Sequence, residues 1–255
     1  MMTDATPPRK VGEPDSRHTR AMTSTTPGHP LDNVLWNALA TSQAHLALGG
    51  DLARRFRPEY AVFSGMPTLS PAGFRALADV MRAGEVTAMA EDHDVDPGPL
   101  FDVVDRKNLV QMIGPATGDV TQPQRFRPLT ADDVPRMTAL VQATEPGPWL
   151  ARTPELGRFL GFEADGRLVA MVGERLRVPG HVEISAVCCH PDWRGRGLPA
   201  DLMRLVSQGI VARGDLPFLH VLAENASAIG LYEKLGFRKR LQSRLSVLRR
   251  NETES

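Results

Sequence analysis

The sequence predicts an α/β fold: a mixed sheet flanked by helices, preceded by a smaller α/β domain. Three observations carry that expectation. Residues 125–250 alternate strand and helix patterns in the order β-α-α-β-β-β-α-β-α-β-β. Turn signals such as Asp165-Gly166 and Gly236 punctuate that order cleanly. Residues 31–113 show the same mixture in shorter and less regular pieces.

The elements follow in chain order. Residues 1–30 scatter Pro7, Pro8, Pro14, Pro27 and Pro30 among Thr, Ser and Asp, have no apolar core to a signal peptide, and read as a disordered tail. A helix is expected over 31–48, with Leu35, Leu39 and Ala40 on one side and Gly49-Gly50 as its stop. Tyr60 to Phe63 reads as a short strand. Ser70-Pro71 reads as an N-cap with proline in the first turn of a helix reaching about Arg82. Residues 100–113 read as a hairpin around Arg106-Lys107-Asn108, and 114–124 as a linker rich in Gly, Pro, Thr and Gln.

Beyond the linker, 125–130 is a strand and Thr130-Ala131-Asp132-Asp133 caps a helix to about Gln142, with a short helix near 154–160. Residues 161–164 and 167–176 form a hairpin, and 182–189 a further strand. Gly197 to Arg213 is a helix with the stripe Leu198, Leu202, Leu205, Val206 and Ile210. A buried strand over 218–222, a helix over 225–235, and two strands around Phe237 and Ser243–Leu248 close the chain.

Composition narrows the function. With 42% hydrophobic residues in 255, the chain has ample apolar content for a core. No apolar run approaches the ~18 residues of a membrane helix. The formal net charge is zero, but residues 125–250 carry 19 Lys and Arg against 13 Asp and Glu. That excess of six suits an anionic small ligand better than a nucleic acid. The two cysteines, Cys188 and Cys189, are adjacent, lack the company of a metal site, and fit a reducing, cytoplasmic setting.

Chemistry concentrates in two segments. Arg194-Gly195-Arg196-Gly197-Leu198-Pro199 follows a strand and opens a helix, where free N–H groups and the positive end of the helix dipole make an anion site. It is neither a Walker loop nor a Gly-x-Gly-x-x-Gly fingerprint. About 28 residues on comes Glu224-Asn225-Ala226-Ser227-Ala228-Ile229-Gly230-Leu231-Tyr232-Glu233-Lys234-Leu235-Gly236-Phe237. Together the two segments, with His190-Pro191-Asp192 ahead of the first, resemble the GNAT superfamily of acyl-CoA-dependent N-acyltransferases, in particular its FR47-like branch. The resemblance covers about residues 125–250. The N-terminal half resembles the extra domain of some FR47-like proteins, one reading of which is a degenerate second GNAT copy.

The resemblance implies acetyl-CoA as co-substrate, a primary amine on a small molecule or peptide as acceptor, and no metal, nucleic-acid or membrane partner. It implies that the strands at 182–189 and 218–222 splay to admit the pantetheine arm. Backbone groups of Val187, Cys188 and Cys189 would hold that arm, and Arg194, Gly195, Arg196, Gly197, Leu198, Pro199 and Ala200 would cradle the pyrophosphate. Pro199 departs from the Gly or Ala of the family pattern and brings no N–H. Asn225 would contact the coenzyme arm, and it is equally a helix N-cap. Tyr232 would protonate the departing thiolate, against a plain core role. An acyl-enzyme on Cys188 or Cys189 is the lesser alternative to direct attack.

An ammonium cannot attack a thioester, so a base is needed. Glu183 lies 11 residues before Arg194, where histone-acetyltransferase-like members carry a base glutamate, and partial burial is expected to raise its pKa. His220, five residues before Asn225, is the competitor, at the place where some ribosomal-protein acetyltransferases carry theirs. A catalytically silent acyl-CoA-binding module and a nucleotide-phosphate binder are the rival functions.

Overall fold

The computed structural model describes residues 28–252, so the tail expected over 1–30 lies almost wholly outside the described residues. The chain begins with α1 (Val34–Ala40), followed by β1 (Ala47–Gly49), β2 (Arg54–Phe56) and β3 (Ser64–Gly65). These three strands form a small antiparallel sheet. Next come α2 (Pro71–Asp79), β4 (Val86–Glu91) and β5 (Phe101–Ile113). The remainder is β6 (Phe126–Pro128), α3 (Val134–Thr144), β7 (Phe159–Ala164), β8 (Arg167–Val178), β9 (His181–Cys189), α4 (Leu198–Ala212), β10 (Leu216–Leu222), α5 (Ala226–Lys234) and β11 (Arg238–Arg250).

One eight-stranded mixed sheet dominates, in the order β4-β11-β5-β10-β9-β8-β7-β6. Two of its strands, β4 and β5, come from the segment expected to form the accessory domain. The Gly- and Pro-rich stretch 114–124 is therefore not a boundary between sheets. It is fixed as well: the Ala116 amide donates to Ser207 Oγ of α4 at 2.8 Å and the Thr117 amide to Leu235 O after α5 at 2.7 Å.

Several local expectations are met. Ser70 Oγ accepts from the Gly73 amide at 3.0 Å, and Thr130 and Asp133 form a capping box. Others are overridden by tertiary contacts. The helix expected over 31–48 stops at Ala40, because the Gln43 side chain is buried and bridges Arg175 O and the Arg177 amide on β8. The expected hairpin at 100–113 is instead one strand of 13 residues, β5, paired along its length with β11. Arg106, Lys107 and Asn108 look like turn residues because this end of β5 extends past β10 and is exposed. The two closing strands are likewise one, β11, with a bulge near Arg240.

Both faces of the sheet are covered. Leu198, Leu202, Met203, Val206 and Ile210 of α4, with Ile229 and Tyr232 of α5, pack on Val182, Ile184, Leu219 and Val221. On the opposite face Leu31, Val34, Leu35 and Leu39 of the N-terminal segment pack on Leu176, Val178 and Phe218. There, too, α3 packs through Met137, Leu140 and Val141 on Met171 and Cys188. Among the described residues no helix is long and apolar enough to cross a membrane.

Candidate active site

The site begins where two neighbouring strands part. Parallel pairing of β9 with β10 covers Leu216↔His181, Pro217↔Val182 and Phe218↔Glu183, and ends there. Past that point β10 pairs only with β5, and β9 only with β8. A bulge lies in the freed part of β9: Gly173 faces Ser185 and Met171 faces Cys188, leaving an extra residue on β9. Ala186 takes up the irregularity with φ +49, unusual for a residue bearing a Cβ. Ser185, Ala186 and Val187 come partly to the surface there, while Cys188 and Cys189 stay buried.

Next to the gap, Gly195 and Gly197 both sit at φ +75 and turn the chain into α4, with Gly197 as its N-cap. The amides of Gly195, Arg196, Gly197, Leu198 and Ala200 find no hydrogen-bond partner among the described residues. Five N–H groups and a helix start of 15 residues make a cradle for an anion. Pro199, in the first turn, interrupts this row of donors. Arg194 and Arg196 are exposed beside it, and Arg196 stacks 4.2 Å over Trp193.

Asn225 caps α5, its Oδ1 accepting from the Ala228 amide at 3.0 Å. Its Nδ2 has no hydrogen-bond partner among the described residues. Tyr232 is buried, packs edge-on to Phe237, and its hydroxyl has no hydrogen-bond partner among the described residues. Burial, with Cys188 adding to it, pushes its pKa up to about 12, so the phenol keeps its proton at any working pH. Burial likewise pushes Cys188 up to about 11 and raises Cys189, leaving neither as a ready thiolate nucleophile.

Glu183 and His220, separate candidates in the sequence, are bonded to each other. His220 Nδ1 donates to Glu183 Oε1 at 2.8 Å. Arg175 Nη2 reaches the same oxygen at 2.8 Å, while its Nε (2.8 Å) and the Leu176 amide (3.3 Å) reach Oε2. Four donors saturate the carboxylate, and its side chain has no exposed surface. The expected upward pKa shift is therefore reversed. Burial does push it up, but the Arg175 guanidinium, assisted by His220, holds it below the ordinary carboxylate range. The far side of the imidazole is occupied too. Gln111 of β5 accepts from Arg240 Nη1 through Oε1 (2.9 Å) and donates through Nε2 to Leu31 O (3.1 Å). With the amide thus oriented, its second N–H meets His220 Nε2 at 3.2 Å. These contacts suit an imidazole that donates through Nδ1 and accepts through Nε2.

Arg175 and Gln111 were not among the sequence candidates. Arg175 had a legible signal, because a turn at Pro179-Gly180 sets it across the β8–β9 hairpin from Glu183. Gln111, distant in sequence, had none. Among the described residues no group of three or more His, Cys, Asp or Glu side chains is arranged to hold a metal.

Comparison with known proteins bears on the family and the fold. The family of FR47-like proteins matches residues 159–246. The ribosomal protein bS18-alanine N-acetyltransferase of Salmonella typhimurium is 30% identical over 129 residues, 48% of this chain and 82% of that protein. A solved structure of a GNAT-family protein from Novosphingobium aromaticivorans is 41% identical, with TM-score 0.81, covering 88% of this chain and all of the other. A GCN5-related N-acetyltransferase from Kribbella flavida, 16% identical with TM-score 0.56 over 88% of this chain and 97% of its own, shares the fold.

Proposed function

The chain belongs to the GNAT family of N-acetyltransferases, and we propose that it moves the acetyl group of acetyl-CoA to a primary amine by direct attack in the gap between β9 and β10. The observation that carries this reading is the parting of those strands at Phe218↔Glu183, beside a cradle of unpartnered amides. The cradle and the basic side chains of Arg194 and Arg196 suit the pyrophosphate. The free edge of β9 at Val187, Cys188 and Cys189 suits the pantetheine arm, with Asn225 Nδ2 at its side.

We infer that Tyr232, which keeps its proton and has no hydrogen-bond partner among the described residues, protonates the departing thiolate. Glu183 and His220 take a different part from the one their positions in the sequence first implied. Their lone pairs and donors are engaged with each other and with Arg175 and Gln111, so they act as positioning residues that pin the apex of the gap. The amine is taken up unprotonated, and the proton it loses after attack passes to water. The buried free thiols of Cys188 and Cys189 favour a cytoplasmic setting.

Thiol release from acetyl-CoA, followed over a panel of primary amines, tests the reading. Tight CoA binding with no amine-dependent release would make the protein an acyl-CoA-binding module instead.

A further inference from the structure

Away from the gap, a hollow of about 470 Å³ lies between the small sheet and the end of α2. Its size falls within the ~300–1,000 Å³ of ordinary small-molecule pockets. Leu48 of β1 and Arg55 of β2 form one wall. The other is Asp79, the last residue of α2, with the turn that follows it. None of these residues belongs to the strands, loop or helices of the candidate active site.

Arg55 is the group that marks this hollow out. It pairs in register with Leu48, so the two side chains stand on one face of the small sheet, while the next residue, Phe56, turns to the core under α1. The Arg55 side chain is only 3% exposed, and its Nη1 donates to Glu85 Oε2. Its Nε and Nη2 have no hydrogen-bond partner among the described residues, and neither is among the wholly buried polar atoms that lack one. The free edge of the guanidinium therefore meets the hollow. Two parallel N–H groups on a buried cation form the edge that takes both oxygens of a carboxylate.

A simple anion does not satisfy the rest of the wall. Glu85 and Asp79 line it as well, against Arg55 and Arg82, so the charges balance before anything binds. Glu85 is committed to Arg55 and to the Arg82 amide at 3.2 Å. Asp79 is exposed, and its carboxylate has no partner among the described residues. It stands at the negative end of α2, where the carbonyls of Asp79, Val80 and Met81 accept no hydrogen bond among the described residues. That end suits an ammonium group. Leu48, Val80 and Met81 add apolar surface beside the two polar edges.

We propose that this hollow is a second binding site, for a zwitterionic α-amino acid with an apolar side chain: its carboxylate on the free edge of Arg55, its ammonium on Asp79 and the end of α2. The site is independent of acetyl transfer, since it shares no residue with the gap.

Calorimetric titration of the full chain, without acetyl-CoA, compares L-leucine with three probes: 4-methylpentanoate, which lacks the amine, leucinamide, which lacks the carboxylate, and glycine, which lacks the side chain. Leucine is expected to saturate one site, with each of the other three at least about tenfold weaker. Asp79→Asn should weaken leucine about tenfold and leave 4-methylpentanoate unchanged, because only the ammonium contact is lost. Arg55→Lys keeps a cation for Glu85 but loses the two-pronged edge, so leucine should weaken while leucinamide changes little. Absence of saturable leucine binding up to about 10 mM would overturn the proposal, as would equal affinity for leucine and 4-methylpentanoate or leucinamide. Leucine binding untouched by Asp79→Asn would place the amino acid elsewhere, the amine side of the gap included, and would overturn it too. That result stands even if Arg55→Lys does not fold, because Asp79 is a surface residue. Thiol release from acetyl-CoA is unaffected by any of these outcomes, so acetyl transfer stands or falls separately.

Discussion

Replacing Glu183 with Gln separates two readings of the same residue. Gln fills the same volume but presents an amide nitrogen to a site built from donors alone. Arg175 Nε and Nη2, His220 Nδ1 and the Leu176 amide all converge there at 2.8–3.3 Å. At least one oxygen's worth of bonds is lost, two N–H groups face donors, and the Arg175 charge is left with no compensating carboxylate. Breaking a buried ion pair from one side costs about 3–5 kcal/mol. For a chain of this size each kcal/mol shifts the midpoint by roughly 2–4 °C, so Tm should fall by about 6–20 °C. Turnover of the fraction still folded should fall much less. Thermal unfolding followed by circular dichroism, beside thiol release well below the variant's midpoint, measures both. A general base behaves in the opposite way, with stability kept and turnover down roughly 10²-fold or more. A Tm unchanged within about 2 °C together with such a loss would show that Glu183 is the base and that the saturated network is wrong. The pH dependence has a definite sign. A carboxylate held below its unfolded pKa contributes stability that is fully present above the ordinary range near 4 and is lost as pH falls through its folded value. The natural protein should therefore lose stability more steeply than the variant on acidification below about pH 4.

Three further outcomes follow from the site. With Glu183 and His220 both engaged, kcat/KM should rise with pH up to the pKa of the acceptor amine, and the break should move when the acceptor is changed; a break fixed across acceptors would mean an enzyme group removes the proton. Tyr232→Phe keeps the packing against Phe237 but removes the proton donor, so kcat should fall roughly 10²-fold with little change in Tm; unchanged kcat with chemistry rate-limiting would reduce Tyr232 to a core residue. Pro199→Ala adds an N–H to the row at the start of α4, and calorimetric titration should find CoA bound up to roughly tenfold tighter; equal or weaker binding would mean that this position faces away from the pyrophosphate or that proline pre-organises the turn.

What could be read from the sequence was what neighbouring residues decide. The capping box at Thr130, the Ser70 N-cap, the Asp165-Gly166 turn and the glycine turn into α4 are local agreements between residue type and backbone, and each is found where the pattern puts it. The errors fall where distant partners decide. Arg106-Lys107-Asn108 has turn chemistry, yet β11 supplies a pairing partner along its whole length, and ladder bonds outweigh local preference. The helix after Leu31 is cut short by Gln43, whose partners lie on β8 about 130 positions away. The pKa of Glu183 was misjudged for the same reason. Spacing to Arg194 locates the residue on its strand, but its protonation depends on Arg175, His220 and the segment that walls it off.

The same long-range contacts explain why the gap opens where it does. Two adjacent strands can separate inside a sheet only if each keeps a partner on its outer side, because a strand bonded on neither edge leaves its backbone polar groups unpaired. β9 keeps β8, and β10 keeps β5 through five consecutive pairs from Phe218↔Ile113 to Leu222↔Leu109. The second of those partners is supplied by the N-terminal segment. That segment also supplies Gln111, Leu31 and Asp32 to the cluster at the apex, where Arg240 bonds both Gln111 and Asp32. The inner edges of β9 and β10 are thus left for a ligand whose amides can replace the missing ladder, and the charged network marks the last point at which the strands remain joined. The N-terminal segment is thus structurally part of the proposed site. It lends the strand that lets the gap open and the residues that stop it from opening further.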